Sequence, residues 1–275
     1  MLKAPSTPGR SRPPRSLHAE YQHFIDQRIE EYKDQLPRPD ILAIGDEAAA
    51  ELSRSEQIQL TEVVLRDQVD AIIRRRLKLP SFRKWRERHL ARRAAQIQPS
   101  HWGLNAHDPV VLLAELVEDD DPILVVGAGD GACPLFLAAR GALVHVVDPD
   151  LAAVYGLENR AITESLGGRI ECEVVPLTAY AAERRPFVAC VVEAASVADL
   201  AATGRRELIN RLKQATPAGG CHVVMPAANP HAGAHISTDA LRTLYADWEV
   251  VVADGGAGGK RRHAGFIASA RHEDA

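Results

Sequence analysis

Residues 123–141, with the sequence ILVVGAGDGACPLFLAARG, join an apolar run to three glycines and then to a second apolar segment. The run Ile123–Val126 has the length and composition of a buried strand, and Ala132–Arg140 has the apolar spacing of a helix. Glycines at every second position permit unusual backbone angles and let a ligand come close to the main chain. The stretch therefore predicts a strand, a glycine turn and a helix in immediate succession.

The alternation of strand and helix continues through the rest of the C-terminal half. Strands separated by helices predict a mostly parallel sheet that is covered on both faces. The runs are Ile123–Val126, Leu143–Val147, Arg169–Val175, Phe187–Val192, Cys221–Met225, Trp248–Ala253 and Gly265–Ala270, and the helices are Ala132–Arg140, Ala152–Ser165, Ala195–Gln214 and Thr238–Ala246. Only the last two runs are joined without a helix, which predicts an antiparallel pair. We therefore predict an α/β fold with a seven-stranded, mostly parallel, doubly wound sheet whose last strand is antiparallel.

The first hundred residues predict helices rather than strands. Apolar side chains recur at helical spacing over Leu17–Gln35 and in a short segment around Ile41–Leu52. Ser53 or Ser55 is expected to cap a longer helix, and Ser81 a further one with Phe82, Trp85 and Leu90 on one face. The predicted organisation is a disordered basic tail of residues 1–16, a small all-helical region of residues 17–100 and a Rossmann-like domain of residues 101–275.

Charge is distributed unevenly along the chain. Residues 74–93 hold about ten Lys and Arg against the single acid Glu87, whereas residues 101–275 carry an excess of acids. Three interpretations of the basic run stay open. It is a solvated helical face, or a lid attracted to the acidic half, or a surface for an anionic acceptor or a phosphate backbone, with Phe82 and Trp85 stacking on bases.

Composition narrows the class of protein. No run of eighteen apolar residues occurs, and the first residues lack the apolar segment of a secretory signal. We therefore expect a cytoplasmic protein that does not bind membranes. The four cysteines show neither CxxC pairing nor metal-ligand spacing, so reduced thiols and no metal are expected.

The spacing of the glycines distinguishes between two ligand classes. Dinucleotide-binding turns have the pattern GxGxxG, whereas this chain has GAGDG, in which the third glycine comes one residue early. Asp148 ends the second predicted strand about 20 residues after the turn, where a carboxylate can accept hydrogen bonds from both hydroxyls of a ribose. An adenosine compound without a pyrophosphate fits this arrangement.

With these motifs, residues 101–272 resemble the class I S-adenosylmethionine-dependent methyltransferases. That family has a GxGxG turn after the first strand, an acid after the second, and a closing antiparallel hairpin. The sequence VVGAGDGACPLFLAARGALVHVVDPD is most similar to the small-molecule branch, which includes tellurite- and thiol-type methyltransferases. The resemblance implies S-adenosylmethionine as cofactor, with its methionine and ribose portion along Gly127, Ala128, Gly129 and Gly131, its ribose hydroxyls on Asp148 and its adenine along Pro149.

Two features of that family are missing. Val125 stands where an acid commonly occurs two positions before the first motif glycine. After the third strand the chain has VVPLTAY, without the Asp that often meets the adenine amino group, so backbone groups near Leu177 and Thr178 would have to substitute.

Candidate catalytic residues follow from their place after strands. Glu193 comes directly after the fourth run and is expected at the ligand crevice, although an acid there also suits the start of a helix. His231 and His235 follow the fifth run and could act on an acceptor, whereas His222 within that run is expected to be a hydrogen-bonded structural residue. A general base is needed only if the acceptor carries a proton, as a hydroxyl or ammonium does.

The sequence leaves several functions open. The first is methyl transfer to a small-molecule acceptor, with the N-terminal helices covering the acceptor pocket or forming a homodimer contact. RNA methylation through the basic helices and a noncatalytic binding protein with a degenerate methyltransferase fold are the alternatives, and a nucleotide-cofactor oxidoreductase has the least support.

Overall fold

The computed structural model describes residues 16–54, 62–182, 185–225, 236–253 and 265–270. The chain forms two compact units, one within Arg12–Arg92 and the other from Arg93 onward. The predicted disordered tail, apart from Ser16, lies outside the described residues. None of the described helices combines the length and hydropathy that a membrane span requires.

Four helices are described in the N-terminal part: α1 (Leu17–Gln35), α2 (Arg38–Ser53), α3 (Glu62–Leu77) and α4 (Phe82–Gln96). Pro37 occupies the N-cap position of α2 and Pro39 its first turn, where a missing N–H costs nothing. The expected cap at Ser53 is wrong, since Ser53 is the last residue of α2 and its hydroxyl donates to the Ala49 carbonyl at 2.8 Å. Ser55 lies outside the described residues.

The core of the first unit combines isoleucines with a cluster of aromatic rings. The Trp85 side chain is buried, with its ring centroid 5.3 Å from that of Tyr21 and 6.1 Å from that of Phe82. Leu90 does not share this face as expected, because it is 47% exposed. A base-stacking role for Trp85 is also wrong, since neighbouring rings already cover the indole.

The second unit is built on one sheet with the strand order β3-β2-β1-β4-β5-β7-β6. Its strands are β1 (Pro122–Val126), β2 (Leu143–Asp148), β3 (Ile170–Val174), β4 (Ala189–Glu193), β5 (Cys221–Met225), β6 (Glu249–Ala253) and β7 (Gly265–Ser269). The first five run parallel, and β7 is antiparallel to both β5 and β6. The predicted seven-stranded α/β fold, with its antiparallel last strand, is confirmed.

Helices and apolar clusters cover this sheet. The helices are α5 (Pro109–Ala114), α6 (Ala132–Ala139), α7 (Leu151–Thr163), α8 (Ala194–Ala198), α9 (Ala202–Ala215) and α10 (Thr238–Leu244). Two separate buried clusters include alternate residues of β1, with Ile123 and Val125 in one and Leu124 and Val126 in the other. This alternation shows that both faces of the sheet are buried, as a doubly wound sheet requires.

One predicted helix, Ala195–Gln214, is divided into α8 and α9. The Arg205 guanidinium donates hydrogen bonds to the carbonyls of Val197, Ala198 and Leu200, at 2.7–3.1 Å. Helix ends leave carbonyls without intrahelical donors, and these bonds supply donors at and just after the end of α8. Arg205 therefore stabilises the break, which apolar periodicity alone does not reveal.

His222 lies in a buried polar network, as expected of a structural histidine. The Thr216 hydroxyl donates to the Leu212 carbonyl at 2.8 Å, so it can only accept from His222 Nε2, which is 2.8 Å away. His222 Nδ1 must then accept from the Tyr245 hydroxyl at 2.9 Å. Burial lowers the pKa of His222 to about 3, which keeps this tautomer neutral.

We expect Tyr245→Phe to lower the free energy of unfolding by about 1 to 3 kcal/mol, because it leaves His222 Nδ1 buried without a donor. Urea denaturation measures the change. The matched control is Tyr155→Phe, at a side chain that is 65% exposed, which should change stability by less than about 0.5 kcal/mol. Equal effects of the two substitutions would contradict the tautomer assignment.

Candidate functional site

The glycine turn lies between β1 and α6, at the carboxyl edge of the strands. β1 pairs with β2 on one side and β4 on the other, so the order of the sheet reverses here, where open α/β sheets form a ligand crevice. Gly127, Gly129 and Gly131 have φ angles of 94°, 54° and 82°. All three are left-handed conformations that glycine adopts at little cost, which explains the spacing in the sequence.

The turn is packed closely against the chain's own side chains. A Cβ atom added to Gly127 would lie 2.1 Å from Ser196 Oγ and 2.9 Å from Glu193 Cβ. One added to Gly129 would lie 3.3 Å from Glu193 Cδ. Gly127 is therefore required for the approach of α8, in addition to any ligand that the turn accommodates, whereas Gly129 is exposed.

Asp148 is the last residue of β2 and is only 5% exposed. Its Oδ2 accepts from the amide of Ala128 within the glycine turn, and its Oδ1 accepts from the amide of Asp150, both at 2.7 Å. The carboxylate thus joins the ends of two neighbouring strands. Since each carboxylate oxygen has two acceptor sites, one site on each remains for a further donor.

The residues expected along the adenine differ in their environment. Pro149 is exposed directly after Asp148. The Val175 amide donates to the Asp148 carbonyl at 3.2 Å, so the segment after β3 starts beside that residue. The Leu177 carbonyl accepts from Arg211 at 3.3 Å and its side chain lies in the core, whereas Thr178 is exposed.

Glu193, the last residue of β4, lies over the glycine turn. The thiol of Cys133 in α6 lies near its carboxyl. Burial raises the pKa of Glu193 to about 7, the Cys133 thiol opposes this rise, and the Asp130 carboxylate adds to it. Glu193 is therefore a carboxyl that both takes up and releases a proton near neutral pH, which is the property required of a general base.

Four residues of the site were missed by sequence reasoning. Cys133 lies near the Glu193 carboxyl, and Ser196 packs against Gly127 of the turn. Asp130 accepts from the Ala132 amide at 2.9 Å, and Arg160 of α7 donates to the Asp130 carbonyl. The place of Asp130 inside the turn was a usable signal, but Ser196 and Arg160 come from distant segments that only the fold brings here.

His231 and His235 lie outside the described residues. The Trp102 indole is buried and donates to the Gln96 carbonyl at 2.7 Å. No three His, Cys, Asp or Glu side chains in the described ranges lie where they could hold a metal ion.

No protein-family model and no curated protein sequence matches this chain. Its sheet has the seven strands and antiparallel closing pair that the resemblance to class I methyltransferases implies. Solved structures similar to it include TehB from Haemophilus influenzae, with 20% identity, a TM-score of 0.47, and coverage of 59% of this chain and 61% of that one. A TehB-like S-adenosylmethionine-dependent methyltransferase from Corynebacterium glutamicum ATCC 13032 has 16% identity, a TM-score of 0.48, and coverage of 69% and 95%.

Another similar structure is the glycopeptide N-methyltransferase MtfA complexed with S-adenosylmethionine. It has 15% identity, a TM-score of 0.48, and coverage of 60% of this chain and 94% of that one. The aligned region therefore spans about three fifths of the Haemophilus TehB chain, but nearly all of MtfA.

We expect Glu193→Gln to stabilise the protein at pH 8 and to change its stability little at pH 5. The folded-state pKa of about 7 lies above the ordinary 4.5, so the folded state binds more protons between these values. Stability therefore falls as the pH rises through this window, by on the order of 2 kcal/mol, and glutamine removes that loss. Thermal unfolding at several pH values measures it.

The matched control is Glu207→Gln on the exposed surface of α9, which should keep the pH dependence of the unchanged protein. A Glu193→Gln effect of the same size at pH 5 and pH 8 would show that the ionisation of Glu193 is not its cause.

Proposed function

We propose that this chain is an S-adenosylmethionine-dependent methyltransferase that acts on a small-molecule acceptor. The observation that carries the proposal is the Asp148 carboxylate, held against the glycine turn where the strand order of a seven-stranded sheet reverses. A sheet edge, a left-handed glycine turn and a buried acid with free acceptor sites form the combination that an adenosine ligand without a pyrophosphate requires.

The residues present fit this cofactor. Asp148 keeps one acceptor site on each oxygen for the two ribose hydroxyls, and the exposed Pro149 follows it for the adenine. Ala128, Gly129 and Gly131 would line the methionine and ribose portion, with Gly129 the exposed member. When bound, S-adenosylmethionine supplies a methyl group on a positively charged sulfur, ready for displacement.

Glu193 is the residue that we assign to the acceptor side. Its carboxyl lies against Gly129, close to the proposed cofactor site, and its pKa of about 7 suits proton removal from an incoming hydroxyl or ammonium group. Positioning and exclusion of water would supply much of the remaining rate enhancement, since methyl displacement depends on alignment. His231 stays a second candidate for this role.

Charge favours a small, neutral or cationic acceptor at this crevice. Among the described residues at the glycine turn, the three acids Asp130, Asp148 and Glu193 outnumber the cation Arg160. A polyanion would be repelled from such a site, whereas an amine would be attracted. We therefore propose an amine or a hydroxyl compound as the acceptor.

We expect the purified protein to bind S-adenosylmethionine and S-adenosylhomocysteine with micromolar affinity in calorimetric titrations. Asp148→Ala should abolish measurable binding, because it removes both ribose acceptor sites and the bond to Ala128. Glu193→Ala should weaken binding far less, since Glu193 serves the acceptor.

Asp150→Asn is the matched control, because asparagine keeps the capping bond to the Ala152 amide and the Asp148 carboxyl stays in place. NADH serves as the ligand control. Absence of binding at millimolar S-adenosylmethionine would refute the proposal and favour the noncatalytic alternative. Two observations favour that alternative. The fully buried Val125 stands where related methyltransferases commonly have an acid, and the Leu177 carbonyl already accepts a hydrogen bond from Arg211.

The acceptor class is tested by the release of S-adenosylhomocysteine in the presence of amines, hydroxyl compounds, thiols or tellurite. We expect turnover with an amine or hydroxyl compound, with kcat rising as the pH increases through about 7 and this dependence lost in Glu193→Gln. Turnover only with thiols or tellurite, unchanged in Glu193→Gln, would confirm the cofactor and refute the role of Glu193.

A further inference from the structure

Helix α4 breaks two electrostatic rules of helix stability. Its first turn contains cations and no acid, although the N-terminal end of a helix favours negative charge. Lys84, Arg88 and Arg92 are spaced four residues apart, so like charges are neighbours along one ridge and repel. Sequences keep such local costs mainly where function requires them.

The first unit does not neutralise these charges. Arg75 and Arg76 of α3 are paired with Glu51 and Glu47 of α2. By contrast, four exposed cations of α4 form no ion pair within the described parts of the chain; they are Arg83, Lys84, Arg86 and Arg88, which we call the basic face. Two acids of this unit thus pair with α3 and Glu20 pairs with His89 of α4, whereas the basic face, with the exposed Glu87 among its cations, forms no ion pair in the described residues and stays open to an external anion.

The side chains around the basic face exclude several classes of partner. Trp85 is buried and Phe82 lies against it, which leaves the 47% exposed Leu90 as the only large apolar side chain exposed on α4. A bilayer-binding helix needs an exposed apolar face, and a protein interface needs an apolar centre. Single-stranded nucleic acid is bound largely by stacking on aromatic rings, which α4 does not expose.

We propose that the basic face binds the phosphate backbone of double-helical nucleic acid, without sequence preference. Regularly spaced phosphates complement cations spread over the exposed surface of a helix, and contacts of this kind need neither base stacking nor an apolar patch. The inference is independent of cofactor binding and of the acceptor proposed above.

The test is fluorescence anisotropy of the full chain with a labelled duplex RNA and a duplex DNA of matching sequence. We expect both duplexes to bind. Contacts with four phosphates should lower the affinity about a hundredfold between 50 mM and 200 mM salt.

The combined variant Arg83→Gln, Lys84→Gln, Arg86→Gln and Arg88→Gln should lose most of this salt dependence and bind at least tenfold more weakly at the lower salt concentration. Glutamine is chosen because it retains helix propensity.

The matched control replaces four other exposed cations of the same unit with glutamine; these are Arg28, Arg38, Arg54 and Arg66. Both variants have the same net charge, so only a local effect of the basic face separates them. Circular dichroism verifies that each variant retains its helices.

The proposal is overturned by any of three results: no binding of either duplex at low salt, equal loss of affinity in both variants, or equal affinity for polyglutamate. Tighter binding of the corresponding single strand would also contradict it, because that result requires exposed aromatic rings.

Discussion

The bond between the Asp148 carboxylate and the Ala128 amide determines the geometry on which the site depends. It connects the end of β2 to the turn after β1, and the second carboxylate oxygen fixes the start of α7 through Asp150. A buried carboxylate is tolerated because both of its oxygens accept hydrogen bonds from amides. The same group can therefore stabilise the fold and still offer acceptor sites to a ligand.

Glu193 differs from Asp148 because the cost of burying its carboxyl is less well compensated. Its burial is not compensated by an ion pair within the described residues, so the charged form is disfavoured and the pKa rises. Above neutral pH, the ionised Glu193 therefore lowers the free energy of unfolding. A residue selected only for folding would avoid this cost. Under the role proposed for Glu193, its position over the glycine turn would explain that cost, since a carboxyl that titrates near neutrality can exchange protons with an acceptor.

The two units use charge differently. In the second unit, the acids Asp130, Asp148 and Glu193 gather at the glycine turn. In the first unit, acids on α2 pair with α3, while α4 presents cations to solvent. One chain thus combines an acidic crevice with a separate group of exposed cations.

The sequence by itself determined the order of strands and helices, the glycine turn and the acid at Asp148, because these follow from local periodicity and backbone angles. It also indicated Glu193, since a residue that ends a parallel strand lies at the crevice. Only the tertiary structure decided that Cys133 lies near Glu193 and Ser196 near Gly127, that Arg205 divides a predicted helix, and that Trp85 is buried. These outcomes depend on which distant side chains meet, and periodicity along one segment carries no information about its partners.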